Sequence, residues 1–316
     1  MKYRGYGSAA VITASLLFSL DGLLRRQLYS LPPSVIVFWE HVLGFLILAP
    51  IVFLSFKHFR KLTIKQWRAI IGVSFLSGAL GTILYTSALT KIQFIPFSVV
   101  VLLQQLQPIF AIAAAAVLLK EPLTKKFFGL SAVALAAAYF VSFPNLTVNW
   151  STGNGTLIAA LFAVGAAIAW GSSTAFSKYA LKGTSSIHVT AARFGITPFF
   201  ALGFVFVFGG GGSLLAIQPV QWLYLVAITF STGLVALAIY YFGLKRIPAS
   251  RATILELTWP LSAVVIGYIF LDQGLSPTQI LGMVVLMTTV YFIARDAQKL
   301  AAKEPDKVPE SLSRKA

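Results

Sequence analysis

Residues 96–119, PFSVVVLLQQLQPIFAIAAAAVLL, and residues 248–271, PASRATILELTWPLSAVVIGYIFL, decide how this chain is built. Each is an apolar run long enough to cross a bilayer of about 30 Å as a helix. Each opens on a proline and carries a second one at the same distance, so Pro96 and Pro108 fall on Pro248 and Pro260 at an offset of 152 residues. A proline inside a helix lacks the N–H that its fourth predecessor's carbonyl needs. The freed carbonyls lie at Gln104 and Glu256, so both runs are expected to place a polar side chain and an unpaired carbonyl at one kink. Broken backbone at membrane depth is tolerated only where it faces protein or a wet cavity. On a regular helix Gln104, Gln107 and Pro108 share one face, as do Thr253, Glu256 and Pro260.

The same offset carries Ser98, Ala111, Leu119, Leu123, Val133, Tyr139 and Phe140 onto Ser250, Ala263, Leu271, Leu275, Val285, Tyr291 and Phe292. With a three-residue gap the match extends back to Trp67/Trp222, Gly78/Gly233, Tyr85/Tyr240 and Ile92/Ile247, and Phe18 aligns with Trp170. The whole chain reads this way. Of its 316 residues 58% are hydrophobic and 11% charged, against about 25% charged in soluble domains. Apolar runs are expected at 7–28, 34–56, 67–90, 96–119, 126–143, 155–181, 187–208, 219–244, 248–271 and 277–295. They are continuous rather than alternating, which excludes a β-barrel. The fold expected is an all-α polytopic membrane protein of ten transmembrane helices. Residues 1–143 form the first five-helix repeat and 144–295 the second, with a polar cytoplasmic tail at 296–316. The N-terminal run is too long for a signal peptide and reads as an uncleaved first span.

The net charge of +16 does not point to nucleic acid, because the bases sit in short clusters between apolar runs. With ten spans, 21 of the 25 lysines and arginines fall on one side, three on the other, and Arg193 within a span. That bias puts both termini in the cytoplasm. An odd number of spans per repeat makes the halves point opposite ways, and the connectors agree: residues 57–68 carry five bases, their counterpart at 209–220 none. Inverted repeats are a transporter architecture, in which one midplane site faces either side in turn.

Ionisable groups within spans are functional candidates by default. Glu256 is one, and a candidate proton carrier. Asp21, Arg25, Glu40 and His41 form a second group toward the outer ends of spans 1 and 2. Asp21 and Arg25 are placed to pair across one helical turn, as an outer gate, an ion pathway or a structural cluster. Arg193 aligns with His41 and could bind an anionic group or extend toward the membrane surface. Tyr85 and Tyr240 are pathway candidates that read more readily as interface anchors. The small residues of spans 3 and 8 read as close helix packing. With no cysteine and three histidines, no metal site, catalytic set or cofactor is indicated. Gly209–Gly212 lacks the Lys-Ser/Thr of a phosphate loop and reads as a turn.

Two five-helix halves, a proline in span 4, the stretch LLKEPLT at 118–124 and Gly129 resemble the EamA-type repeat of the drug/metabolite transporter superfamily. The second half has LDQGLS at 271–276 and Gly282, with Gln273 where the repeat usually has Glu. The resemblance implies a cavity between the halves, lined by helices 1–4 and 6–9, with helices 5 and 10 peripheral. It implies alternating access, usually by an exporter or exchanger; the protein is expected to act as a monomer or homodimer. Members carry amino acids, nucleotide sugars, sugar phosphates, polyamines or drugs. The mixed interior charges suit a zwitterion such as an amino acid; an anion exchanger for phosphorylated compounds or nucleotide sugars is the alternative within transport, and a non-transporting structural or signalling protein the alternative outside it.

Overall fold

A computed structural model of the protein describes residues 2–91, 93–119, 124–143, 145, 154–247, 252 and 255–303. Among them nine helices are long and apolar enough to cross a membrane: Tyr6–Leu28, Pro33–Leu54, Ile64–Leu89, Phe97–Ala114, Lys125–Ser142, Gly155–Ala180, Ser186–Val207, Pro219–Arg246 and Pro277–Asp296. A shorter apolar helix, Thr258–Phe270, lies where the ninth of ten spans is expected. In chain order these are spans 1–10, with Thr258–Phe270 as span 9.

The helices pack in pairs that survive exchanging each span with the one five places on. Span 2 lies against 7, span 5 against 10 and span 4 against 9. The contact of span 1 with span 8 is mirrored by that of span 6 with span 3, and 1 with 9 by 6 with 4. The repeat therefore reaches individual bonds. Thr63 and Gln66 close a capping box at the start of span 3, and Gln218 and Gln221 do so at the start of span 8, satisfying N–H groups that a helix start leaves free. Gln66 Nε2 then donates to the Lys182 carbonyl at the end of span 6 (2.8 Å), and Gln221 Nε2 to Ser30 Oγ beyond span 1 (2.9 Å). With five crossings per half, the two halves run through the membrane in opposite directions.

Spans 5 and 10 stand outside this bundle and pair with each other. A Cβ at Gly282 would stand 2.8 Å from Phe140 Cβ and 2.9 Å from the Val141 nitrogen, so only glycine lets the helices approach so closely. Gly129, the glycine of span 5, has nothing within 4 Å of such a Cβ. Gln273 accepts the Phe97 N–H at the start of span 4 (2.9 Å) and so caps it. The turn residue Glu121, the loop at 146–153, Thr253 and most of the polar tail lie outside the described residues.

Two departures from regular helix stand at matched positions. Ser74–Gly81 in span 3 and Thr229–Val235 in span 8 are π-helical. Span 4 is interrupted at Gln105–Leu106, between helices Phe97–Gln104 and Gln107–Leu119.

Candidate functional site

A single cavity at the centre of the bundle draws its wall from spans 1, 2, 3, 4, 6, 7, 8 and 9. Its aromatic lining is Phe18, Tyr85, Trp170, Phe194, Tyr240, Tyr241 and Trp259. Phe18 meets Tyr240 and Trp259 at centroid distances of 6.3 and 6.2 Å, mostly edge-on or tilted. Trp170 meets Tyr85 at 5.4 Å and Trp259 at 6.0 Å, and Tyr85 meets Trp259 at 6.2 Å. The set obeys the repeat: Phe18 pairs with Trp170, Tyr85 with Tyr240, Gln107 with Trp259.

The π-helices shape this wall. An extra residue in a helical turn frees carbonyls and tilts the residues that follow. The Ser77 carbonyl, inside the first π-helix, accepts Trp170 Nε1–H at 3.1 Å and fixes the indole over the cavity. Gly81 leaves room for that indole, and Gly78 for the Thr197 side chain of span 7.

At one end of the cavity lies an ion cluster. Arg25 donates from Nε to Asp21 Oδ2 (2.7 Å) and from Nη2 to Asp21 Oδ1 (2.9 Å) and Glu40 Oε2 (3.0 Å). Arg25 Nη1 reaches Thr86 Oγ1 at 3.3 Å, and Thr232 of the second π-helix donates to Asp21 Oδ1 at 2.7 Å. All three ionic side chains are buried. The cluster ties spans 1, 2, 3 and 8 together, and an arginine bidentate to one carboxylate and bonded to a second is an arrangement that holds buried charge.

Also in the wall, Arg193 donates from Nη1 to Tyr241 Oη and from Nη2 to Ser77 Oγ, each at 3.0 Å. Tyr240 donates to Glu256 Oε1 at 2.8 Å. Three buried polar atoms of cavity-lining residues have no hydrogen-bond partner among the described residues: Arg193 Nε, Trp259 Nε1 and Tyr85 Oη.

Most residues singled out in the sequence come together here: Asp21, Glu40, His41, Tyr85, Gln107, Arg193, Tyr240 and Glu256 all line the cavity. His41 does so while stacked on Phe194 at 4.8 Å, its Nδ1 bonded to the Val37 carbonyl (2.9 Å). Tyr85 and Tyr240 are cavity wall rather than interface anchors, Tyr85 being 3% exposed. Gln104 parts from Gln107: the break at Gln105–Leu106 turns the two off a common face, and Gln104 is fully buried without lining the cavity. Phe18 and Trp170 went unread as wall. Their signal was the Phe18/Trp170 alignment, which looks like ordinary membrane aromatics until the cavity gives it a place. The π-helices left only their small residues as a trace.

A helical bundle of two inverted halves around a polar and aromatic central cavity defines an integral membrane transporter, one that sits in lipid and binds a small molecule within its core. The chain belongs to the EamA-like transporter family, whose profile matches residues 5–143 and 157–295. It is 34% identical over 292 residues to the riboflavin transporter ImpX of Fusobacterium nucleatum subsp. nucleatum, covering 92% of this chain and 97% of that one. An uncharacterised transporter of Archaeoglobus fulgidus is 22% identical over 291 residues, with coverage of 92% and 97%. A protein crystal structure matches the fold at TM-score 0.59 and 17% identity, over 94% of this chain and 98% of that one.

Proposed function

We propose that the protein is an alternating-access carrier of a flat, uncharged heteroaromatic compound rich in carbonyl groups, riboflavin or a close analogue. The observation that carries this is the cavity wall: seven aromatic side chains and three buried donors, Arg193 Nε, Trp259 Nε1 and Tyr85 Oη, without partners among the described residues. Aromatic side chains stack on a planar ring system. A buried donor left unpaired costs about 1–3 kcal/mol, so acceptors on a ligand are bound with a matching gain. The riboflavin tricycle offers carbonyl and ring-nitrogen acceptors along one edge, and its ribityl hydroxyls can meet Ser15, Ser173 and Thr174, which also line the cavity.

The charged groups that made an amino acid the expectation each have a partner within the protein. Asp21 and Glu40 hold Arg25, Glu256 holds Tyr240, and Arg193 is bonded to Tyr241 and Ser77. A zwitterion would have to displace these partners, whereas a neutral ring system uses the donors that remain. The relative named as a riboflavin transporter supports the same substrate.

Riboflavin fluorescence, quenched on stacking against tryptophan, supplies the test. Titration of the purified protein is expected to give saturable quenching, unaffected by excess amino acids. Trp170→Leu is expected to weaken binding about tenfold, the size of one aromatic pair. Absence of quenching, together with thermal stabilisation by an amino acid, would return the substrate to the zwitterion class.

A further inference from the structure

The two halves place aligned residues around the cavity, and one aligned pair differs in its hydrogen bonding. Tyr240 Oη donates to Glu256 Oε1 at 2.8 Å. The counterparts of these residues in the first half are Tyr85 and Gln104. Tyr85 Oη, Gln104 Nε2 and Gln104 Oε1 are all buried, and all three lack a hydrogen-bond partner among the described residues. Gln104 is fully buried. Three unpaired polar atoms at the counterpart of a formed pair are costly in a protein interior. They sit where the chain is least regular: Gln104 ends the first helix of span 4, at the Gln105–Leu106 break, and Tyr85 lies one turn beyond the π-helix of span 3.

In an inverted-repeat carrier each half adopts the other's conformation when the site turns to the opposite face. A bond present in one half and absent in the other then marks which half holds which conformation. We infer that Gln104 is a positioning residue of the transport cycle. Its amide accepts the Tyr85 hydroxyl in the opposite access state, where the Tyr240–Glu256 bond opens, so the two pairs exchange one hydrogen bond as the cavity turns. The exchange keeps the cycle reversible. Either state has one Tyr–amide or Tyr–carboxyl bond made and one unmade, so neither is a deep trap. It also explains why a glutamine with no partner among the described residues is held in the core of a protein that faces lipid. The inference rests on alternating access but not on the identity of the substrate.

The protein has no cysteine, so Thr174→Cys on the cavity wall is a clean reporter for a membrane-impermeant maleimide, applied to right-side-out and inside-out vesicles. The parent carrying only Thr174→Cys is expected to react from both faces. Gln104→Leu keeps the side-chain volume and removes the unpaired amide; Tyr85→Phe removes only the hydroxyl. Both are expected to bias the protein toward the present conformation, lowering reaction from the same face about tenfold, the scale of one buried hydrogen bond. The double variant is expected to go no further than either single one. Tyr240→Phe is expected to shift reaction toward the opposite face. Because it removes a polar group unpaired in the present state, Gln104→Leu should unfold at a temperature no lower than the parent, separating bias from misfolding. Labelling of Gln104→Leu like the parent, shifts of Gln104→Leu and Tyr240→Phe in the same direction, or additive effects in the double variant would overturn the inference. A parent reached from one face alone would overturn alternating access with it. Failure of riboflavin to bind touches only the substrate.

Discussion

Arg25 shows how a charge is kept inside a membrane protein. It is 2% exposed and has two carboxylates and a hydroxyl around it. Removing one member of such a cluster leaves the rest as uncompensated buried charge, which costs about 3–5 kcal/mol. Arg25→Met is therefore expected to lower stability by that amount in denaturant titration. Asp21→Asn should cost less, because the amide oxygen still accepts from Arg25 and Glu40 remains. Glu256 has one carboxylate oxygen bonded to Tyr240 and lies in the cavity wall. Glu256→Gln is expected to lower transport in proteoliposomes while expression is retained, and undiminished transport at every pH would remove Glu256 from the mechanism. The sequence pointed to Asp21, Arg25, Glu40 and Glu256 because ionisable residues are rare in apolar runs. It could not show that Arg25 binds both acids, since the depth of Glu40 on span 2 depends on how spans 1 and 2 lean.

Among the elements, spans 3 and 8 depart furthest from their reading. Their serines, threonines and glycines read as packing residues, and Gly78 and Gly81 do receive Thr197 and Trp170. The π-helical turns had no readable code, because a π-helix differs from an α-helix by one residue of register that neighbouring spans select. Trp170→Phe tests their role. It removes the N–H that bonds the Ser77 carbonyl at 3.1 Å and keeps an aromatic ring, so a stability loss of about 1 kcal/mol is expected by thermal unfolding. Spans 5 and 10 need a different argument, since their contact is one of shape. Gly282→Val would drive a branched side chain into Phe140 and the Val141 backbone. Overpacking of this kind costs about 1–3 kcal/mol, while Gly129→Val, with open space at its Cβ, should be near neutral apart from backbone propensity. A thermal-shift comparison of the two variants distinguishes the sites.

At the scale of the whole molecule, topology is the property to test. Lysines and arginines lie overwhelmingly on one side of a ten-span alternation, so we expect Lys2, Leu62 and Pro305 to be cytoplasmic and Trp150 and Gly212 to face outside. Single cysteines at these positions, labelled in intact cells with an impermeant reagent, should react at 150 and 212 only. The reverse pattern at either loop would contradict inverted halves.

The sequence by itself determined the solvent, the helical class, most of the described span boundaries to within a few residues and the internal repeat. Each of these depends on local composition or on a comparison of the chain with itself. It also pointed to the charged residues of the cavity, because polar groups in lipid-spanning helices are too costly to keep without partners. Only the tertiary structure decided which aromatics form the wall, that Gln104 turns away from Gln107, and that one of two equivalent tyrosines is bonded while the other is not. Those features depend on helix rotation and on a choice between two arrangements of the same repeat. Packing between distant spans sets both, and comparing the chain with itself does not show which half occupies which arrangement.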